Sequence, residues 1–121
     1  MNAVLLTPDD LTHQLAANAV TILLVVDSSD PASSALVERL CDVAASFRTG
    51  IGFGWITKSN DFKHPSIQPD DLAVTPVVLM FRGGKLLFND ATGRRQIELA
   101  LSNENINAMF GYTIGGARLV E

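Results

Sequence analysis

The chain has 121 residues, the size of one domain, and it carries a formal net charge of −4 with 18% charged residues. Its basic residues form only short pairs, so the phosphate neutralisation on which nucleic-acid binding depends is not expected. No apolar run approaches the roughly 20 residues of a membrane helix, so no membrane partner is expected. Soluble domains carry about 25% charged residues. The shortfall predicts either a rather neutral exterior or a surface that a protein partner partly covers.

Cysteine usage and the first residues bear on the compartment. Cys41 is the single cysteine of the chain, so no internal disulfide forms. The first eight residues have neither a basic leader nor a long apolar stretch. We therefore expect a cytoplasmic protein, or a virion protein if the chain belongs to a phage.

The first third of the chain alternates between strand and helix patterns. Residues 3–6 predict a short strand, and Thr7 and Pro8 are typical of a helix cap and first helical position. That helix is expected to stop near Asn18. Residues 21–26 form a continuous apolar run with β-branched residues, which is typical of a strand buried on both faces.

A second helix is predicted next, capped by Asp30, opened by Pro31 and running to about Phe47. Residues 51–57 predict a strand whose glycines are closely approached by neighbouring groups. A polar loop follows, and residues 69–72 predict one helical turn.

The last third predicts a hairpin and a helix. The sequence predicts two strands at residues 77–81 and 86–89. The paired glycines between them supply the positive φ angles of a tight turn. Residues 94–110 predict one final helix, and residues 111–121 a tail. Alternating strands and helices followed by a hairpin predict an α/β domain with a mixed sheet.

This element order resembles that of thioredoxin over residues 2 to about 110, and three segments carry the resemblance. Residues 25–27 (Val-Val-Asp) resemble the end of the central strand with its buried acid. Residues 74–76 (Val-Thr-Pro) resemble the segment before the cis-proline, and residues 81–85 resemble the final hairpin turn. The resemblance implies a three-layer α/β/α thioredoxin-like fold (β-α-β-α-β-α-β-β-α). We expect residues 1–110 to form it and residues 111–121 to be a tail or assembly arm.

The sequence departs from that family where its chemistry lies. Thioredoxins carry Trp-Cys-x-x-Cys where the central strand meets the second helix, whereas this chain has Ser33 and Leu36 near the two cysteine positions. Thiol exchange needs a thiolate and a resolving thiol. We therefore expect no redox activity, no cofactor and no enzymatic function.

Other reactive residue types favour structural roles. Cys41, about three turns into the second helix, is expected to be half-buried in the core. The hydroxyls of Ser33 and Ser34 are expected to satisfy backbone donors at the helix start. Asp27, if buried, should have a raised pKa. His64 with Asp61 and Asp70 or Asp71 lacks the spacing of a metal site, so no metal is expected.

Two regions are candidates for binding a protein partner. One is the family-like groove, whose turn could equally be a folding feature. The other is the tail, which could add as a strand to a neighbour or fold onto its own domain. The candidate residues are Asp30, Ser33, Thr75, Pro76, Arg118, Leu119 and Val120.

The expected function is a non-catalytic interaction or structural assembly subunit, including the possibility of a viral or phage particle component or a homo-oligomer. The alternative is an accessory chaperone of the hydrogenase-maturation thioredoxin-like type that binds a precursor protein. Residues 28–31 (Ser-Ser-Asp-Pro) are similar to a segment of that type.

Overall fold

The computed structural model describes residues 3–46, 51–58, 63–72, 74–90 and 94–110. Within those ranges the chain forms five strands, four α-helices and one 3-10 turn at Pro69–Leu72. The elements in chain order are β1 (Ala3–Leu5), α1 (Pro8–Ala17), β2 (Val20–Val26), α2 (Ser33–Ala45), β3 (Ile51–Thr57), β4 (Val77–Arg82), β5 (Lys85–Asp90), α3 (Arg94–Ala100) and α4 (Asn103–Phe110).

The strands form one mixed sheet in the order β1-β3-β2-β4-β5. β3 is parallel to both β1 and β2, whereas β4 is antiparallel to both β2 and β5. β2 is the central strand, and all seven of its residues are buried. Its unbroken apolar sequence is explained by this position, because a central strand has helices over both faces.

Helices cover both faces of the sheet, and each face has its own hydrophobic cluster. Leu11 of α1 packs on one face. Leu40 of α2, Ile97 of α3 and Ile106 of α4 pack on the other. Burial of one such side chain contributes about 1.5–3 kcal/mol. The expected three-layer α/β/α arrangement with a mixed sheet is therefore confirmed.

The first helix begins and ends where the sequence predicts. The Thr7 hydroxyl accepts a hydrogen bond from the Asp10 backbone N–H (3.2 Å), and the Asp10 carboxylate accepts one from the Thr7 N–H (3.0 Å). This reciprocal capping box satisfies donors that a helix start leaves unpaired. Asn18 closes the other end through its backbone N–H, which donates to the Gln14 carbonyl.

Glycines are needed at two kinds of place. Gly83 and Gly84 have φ angles of 60° and 79° in the β4–β5 turn, as the hairpin signal predicts. Gly52 and Gly54 in β3 lie so close to neighbours that a Cβ there would overlap Gln14 and Leu6 respectively. The predicted close approach at these strand glycines is confirmed.

The predicted single final helix is wrong, because the chain breaks between α3 and α4. The Ser102 hydroxyl donates to the Leu99 carbonyl and accepts from the Asn105 N–H, which starts a new helix. Arg39 of α2 also donates its Nε–H to the Leu101 carbonyl at 2.9 Å. These bonds replace intrahelical ones, so the break costs few unsatisfied groups.

The second helix begins later than predicted. α2 starts at Ser33, so Pro31 lies in the turn before it and not at the first helical position. It extends to Ala45, and the predicted end at Phe47 lies outside the described residues. Among the residues the structure describes, no helix has the length and apolar character to cross a bilayer.

Candidate functional site

The turn between β2 and α2 occupies the position where the sequence resemblance puts a redox motif. It is tied by backbone bonds at both ends: the Asp30 N–H donates to the Asp27 carbonyl (3.0 Å), and the Ser33 N–H donates to the Asp30 carbonyl (3.1 Å). The Ser33 hydroxyl also donates to the Asp27 carbonyl. Residues 27–33 are therefore held in one shape by the chain itself.

Asp27 is not the buried acid that the resemblance implies. It is half-exposed, and its carboxylate accepts hydrogen bonds from the Ser29 N–H (3.0 Å) and hydroxyl (2.8 Å). These bonds, the backbone one first, hold the pKa of Asp27 below its usual value. The reason is geometric: β2 ends at Val26, so Asp27 has already left the sheet.

Asp30 caps the turn and not the helix. Its carboxylate accepts a hydrogen bond from the Ala32 N–H at 2.9 Å. Ala32 is the residue before α2, and no side chain caps the helix there. The Ser33 hydroxyl donates to a backbone carbonyl, so the prediction that it satisfies a backbone donor at the helix start is wrong, and Ser34 next to it is exposed.

An open cleft of about 570 Å³ lies between the start of α2 and the ends of β2 and β3. Its apolar part comes from Val26, Val37 and Trp55, and its acidic part from Asp30 and Glu38. The full lining is Val26, Ser28, Asp30, Pro31, Ser33, Ser34, Val37, Glu38, Trp55 and Thr57.

Thr75 and Pro76 reach the same end of the sheet from the other side. Val77 of β4 is opposite Val25 of β2 in antiparallel register, so the start of β4 meets the end of β2. The Thr75–Pro76 peptide bond is cis, as the resemblance implies. Both residues are half-buried. Neither lines the cleft, which lies on the β3 side of α2, whereas Asp30 and Ser33 line it.

Cys41 is exposed, so its predicted half-buried position is wrong. The face of α2 that packs on the sheet contains Leu36, Leu40, Val43 and Ala44. Cys41 follows Leu40 directly, and a step of one residue along a helix turns the side chain away from that face. It is eight residues after Ser33, well beyond the first turn of α2.

No histidine lies beside the serines. His64 belongs to the opposite layer of the domain, where its Nε2 and the Thr12 hydroxyl of α1 are 2.8 Å apart. The His64 Nδ1 accepts the Ser66 N–H at 3.0 Å, so in the neutral ring Nε2 carries the hydrogen and donates it. Burial lowers the pKa of His64, which favours this neutral form.

Metal binding finds no support among the described residues, where no group of three or more His, Cys, Asp or Glu side chains could hold an ion. One acid of the predicted loop set, Asp71, instead accepts hydrogen bonds from the Gln68 N–H and the Asn89 side chain. Asp61 lies outside the described residues, as do Arg118, Leu119 and Val120 of the predicted assembly arm.

The sequence analysis did not identify Val37, Glu38 and Trp55 as residues of the cleft. A signal for Trp55 exists, because it is the single tryptophan of the chain and lies in a strand next to two glycines. Nothing in the sequence singles out Val37 and Glu38. They line the cleft because α2 crosses β3 at its first turns.

Comparison with known proteins gives structural neighbours only. No protein-family model matches the chain, and no curated protein matches it. It is similar to thioredoxin f from spinach chloroplast (long form), with a TM-score of 0.68 at 13% identity over 88% of this chain and 85% of that one. It is also similar to Trxlp from Edwardsiella tarda EIB202, with a TM-score of 0.63 at 12% identity over 84% of this chain and 99% of that one.

The chain has a thioredoxin-like fold. A designed protein shares it as well, with a TM-score of 0.62 at 16% identity over 83% of this chain and 93% of that one. Identities this low establish the fold alone. What a thioredoxin-like domain does depends on the groups at its site, which here are serine hydroxyls, two carboxylates and an apolar floor.

Proposed function

We propose that this thioredoxin-like chain is a non-catalytic protein-binding or assembly subunit that takes its partner at the start of α2. The observation that carries the proposal is the turn at residues 27–33. It occupies the redox position of the fold, and its polar side chains are engaged in holding the turn and not in thiol chemistry.

The number and position of the thiols support the proposed absence of redox activity. Disulfide exchange proceeds through a mixed disulfide that a second thiol resolves. This chain has one cysteine in all, Cys41, and that residue is in the third turn of α2. A hydroxyl such as that of Ser33 cannot replace the attacking thiolate.

Binding is favoured by the shape and chemistry of the surface. The cleft has an apolar floor at Val26, Val37 and Trp55 with carboxylates at its rim, which is the combination typical of binding sites. The turn at residues 27–33 is internally hydrogen-bonded, so this side of the interface loses little conformational entropy when a partner binds. Thr75 and Pro76 extend the surface across the end of β2.

The redox part of the proposal is tested by an insulin-reduction assay with dithiothreitol as electron donor. We expect no turnover above the dithiothreitol background, with a thioredoxin that contains both cysteines as positive control. Catalysis that disappears in Cys41→Ser would refute the non-redox proposal.

The binding part is tested by photo-crosslinking in cells. A photoreactive amino acid is placed at Val37, which lines the cleft, and in a matched protein at Ala16, an exposed residue of α1 on the opposite face. We expect a discrete crosslinked product at position 37 and none at position 16. No product at position 37, or the same products at both positions, would contradict the proposed surface.

The identity of the crosslinked protein separates the two forms of this proposal. The segment at residues 28–31 forms part of the cleft lining and of the locked turn, which favours the accessory-chaperone alternative. A single precursor protein captured at position 37 would support that alternative. A particle component, or loss of assembly on deletion of residues 111–121, would support an assembly subunit, including one in a virion.

A further inference from the structure

Within the described part of the chain, no strand pairs with the outer edge of β1, and the side chains on both faces there are apolar. β1 pairs with β3 on its inner side and is the last of the described strands of the sheet. Val4 is 45% exposed and Leu5 is 59% exposed. Successive side chains of a strand point to opposite faces, so the sheet is apolar above and below this edge.

The direction of the backbone groups can be followed from one hydrogen bond. The N–H of Leu6, directly after β1, donates to the Trp55 carbonyl of β3 at 3.0 Å. N–H directions alternate along a strand, so the N–H and C=O groups of Ala3 and Leu5 point away from β3. Those of Val4 point towards it. The open edge therefore offers two donors and two acceptors, placed symmetrically about Val4.

The opposite edge of the sheet is built differently. β5 begins at a lysine, Lys85, and has exposed Asn89 near its end. The β4–β5 pairing also has a register shift between Met80 and Phe81. Charges and bulges are two of the devices by which proteins protect edge strands from pairing, and short strand length is another. β1 consists of Ala-Val-Leu, so it is short, but it has neither a charge nor a bulge.

We infer that β1 is a self-association edge, at which two copies of this chain pair their β1 strands antiparallel about a two-fold axis through Val4. In this register Ala3 of each copy lies opposite Leu5 of the other, and these residues exchange the two N–H and two C=O groups that point outward. Four intermolecular backbone hydrogen bonds form, and the two five-stranded sheets become one.

The side chains favour a second copy as the occupant of this edge. The two Val4 residues meet in the non-hydrogen-bonded position, where cross-strand side chains lie closest. The small Ala3 faces the large Leu5, so each site has room for the pair. No ionisable side chain lies within β1, so pairing two copies brings no like charges opposite each other. None of these residues lines the cleft at α2, so this surface is independent of the proposed partner site.

The test is the mass of the untagged protein by sedimentation equilibrium from low micromolar to millimolar concentration. We expect a concentration-dependent rise from 13.0 kDa towards twice that value. Val4→Lys places two ammonium groups opposite each other at the axis and should weaken the dimer about tenfold or more. Leu87→Lys changes a residue of similar exposure (57%) on the β5 edge and should leave dimerisation unchanged.

A backbone variant checks the register. Leu5→Pro removes an N–H that points to solvent in the monomer, so proline is tolerated there, while two of the four intermolecular bonds are lost. Hydrogen exchange adds a direct readout: the Leu5 amide should become protected as concentration rises. The Val4 amide, which faces β3, should be protected throughout.

Two results would overturn the inference. One is a wild-type protein that stays monomeric at millimolar concentration. The other is a dimer that survives Val4→Lys with its affinity unchanged. Circular dichroism confirms that each variant is folded, and Val4→Lys decides the matter if Leu5→Pro does not fold. A Leu5 amide that exchanges at the same rate at all concentrations would also exclude this edge, and a dimer seen in that case would use another surface.

Discussion

The starts of α1 and α2 differ although both follow a parallel strand of the sheet and both have a proline in or just before the first turn. At α1, Thr7 and Asp10 cap each other, and the hydrogen bond that the Thr7 backbone N–H donates to the Asp10 carboxylate is the main cause that lowers the pKa of Asp10. At α2, Ala32 provides no side-chain cap, and the nearby carboxylates are used earlier, in the turn.

This difference distinguishes a helix start whose side chains cap the helix from one whose side chains line a cleft. The first turn of α1 is satisfied by its own side chains. The first two turns of α2 form part of the cleft through Ser33, Ser34 and Val37. α2 is therefore held mainly by its apolar face and not by its cap, which can be tested by variants at both helices.

The largest expected effect is at that apolar face. Leu40→Ala removes a fully buried side chain from α2 and should lower the free energy of unfolding by about 2–5 kcal/mol. Urea unfolding followed by Trp55 fluorescence measures it. Glu38→Ala, an exposed change in the preceding turn, is the matched control and should stay within about 0.5 kcal/mol. Equal effects of the two changes would mean that the sheet-facing side of α2 does not hold the helix.

A smaller difference is expected between the two caps. Thr7→Ala breaks the capping box of α1 and should cost about 1 kcal/mol. Ala32→Ser should change the stability by less than about 0.5 kcal/mol, because Ala32 has helical angles (φ −74°, ψ −13°) and not the extended ones from which a side chain caps. The same unfolding experiment measures both. A clear gain from Ala32→Ser would show that α2 lacks only a cap, against the comparison above.

Mild acid should destabilise the layer that contains α1. The pKa of His64 lies below its usual 6.5 because of burial, so the unfolded chain binds a proton more readily than the folded one. The neutral His64 ring therefore makes its full contribution to stability above pH 6.5. That contribution is lost as the pH falls from 6.5 towards the lower pKa of His64 in the folded protein.

Thermal unfolding at pH 7.5, 6.5 and 5.5 tests this prediction. We expect the midpoint of thermal unfolding to fall as the pH is lowered. His64→Gln should make this fall smaller, whereas Thr12→Val, which removes only the hydrogen-bond partner of His64, should keep much of it. A wild-type midpoint that does not change between pH 7.5 and 5.5 would show that burial does not favour the neutral ring.

The smallest effect is expected at the lone thiol. Cys41 is exposed, so Cys41→Ser should change the free energy of unfolding by no more than about 0.5 kcal/mol. Ellman's reagent should titrate one thiol per chain without denaturant. Slow labelling that accelerates only on unfolding would place Cys41 inside the protein after all.

Much of the fold could be predicted from sequence because its signals are local. The capping box at Thr7, the paired glycines at Gly83 and Gly84, and the unbroken apolar strand β2 each depend on neighbours in the chain. The break at Ser102 was missed, because Ser102 lies inside a helical apolar pattern. The break depends in part on Arg39, which is 62 residues away in sequence.

The candidate site could be predicted only in part. Asp30 and Ser33 were found from the strand-to-helix junction, and both line the cleft. Val37, Glu38 and Trp55 were not found, because their common surface exists only once α2 lies across β3. The half-buried position predicted for Cys41 and the buried acid that the resemblance implies at Asp27 are wrong for a related reason: one residue along a strand end or a helix decides whether a side chain faces the core.

The sequence by itself determined the element types, the turn chemistry and the thiol count, because propensity, capping and composition act within a few residues of the chain. The tertiary structure decided which faces those elements present: an open β1 edge, a cleft beside α2 and a thiol in solvent. Exposure and pairing depend on which segments pack together, and that contact is made between residues distant in sequence.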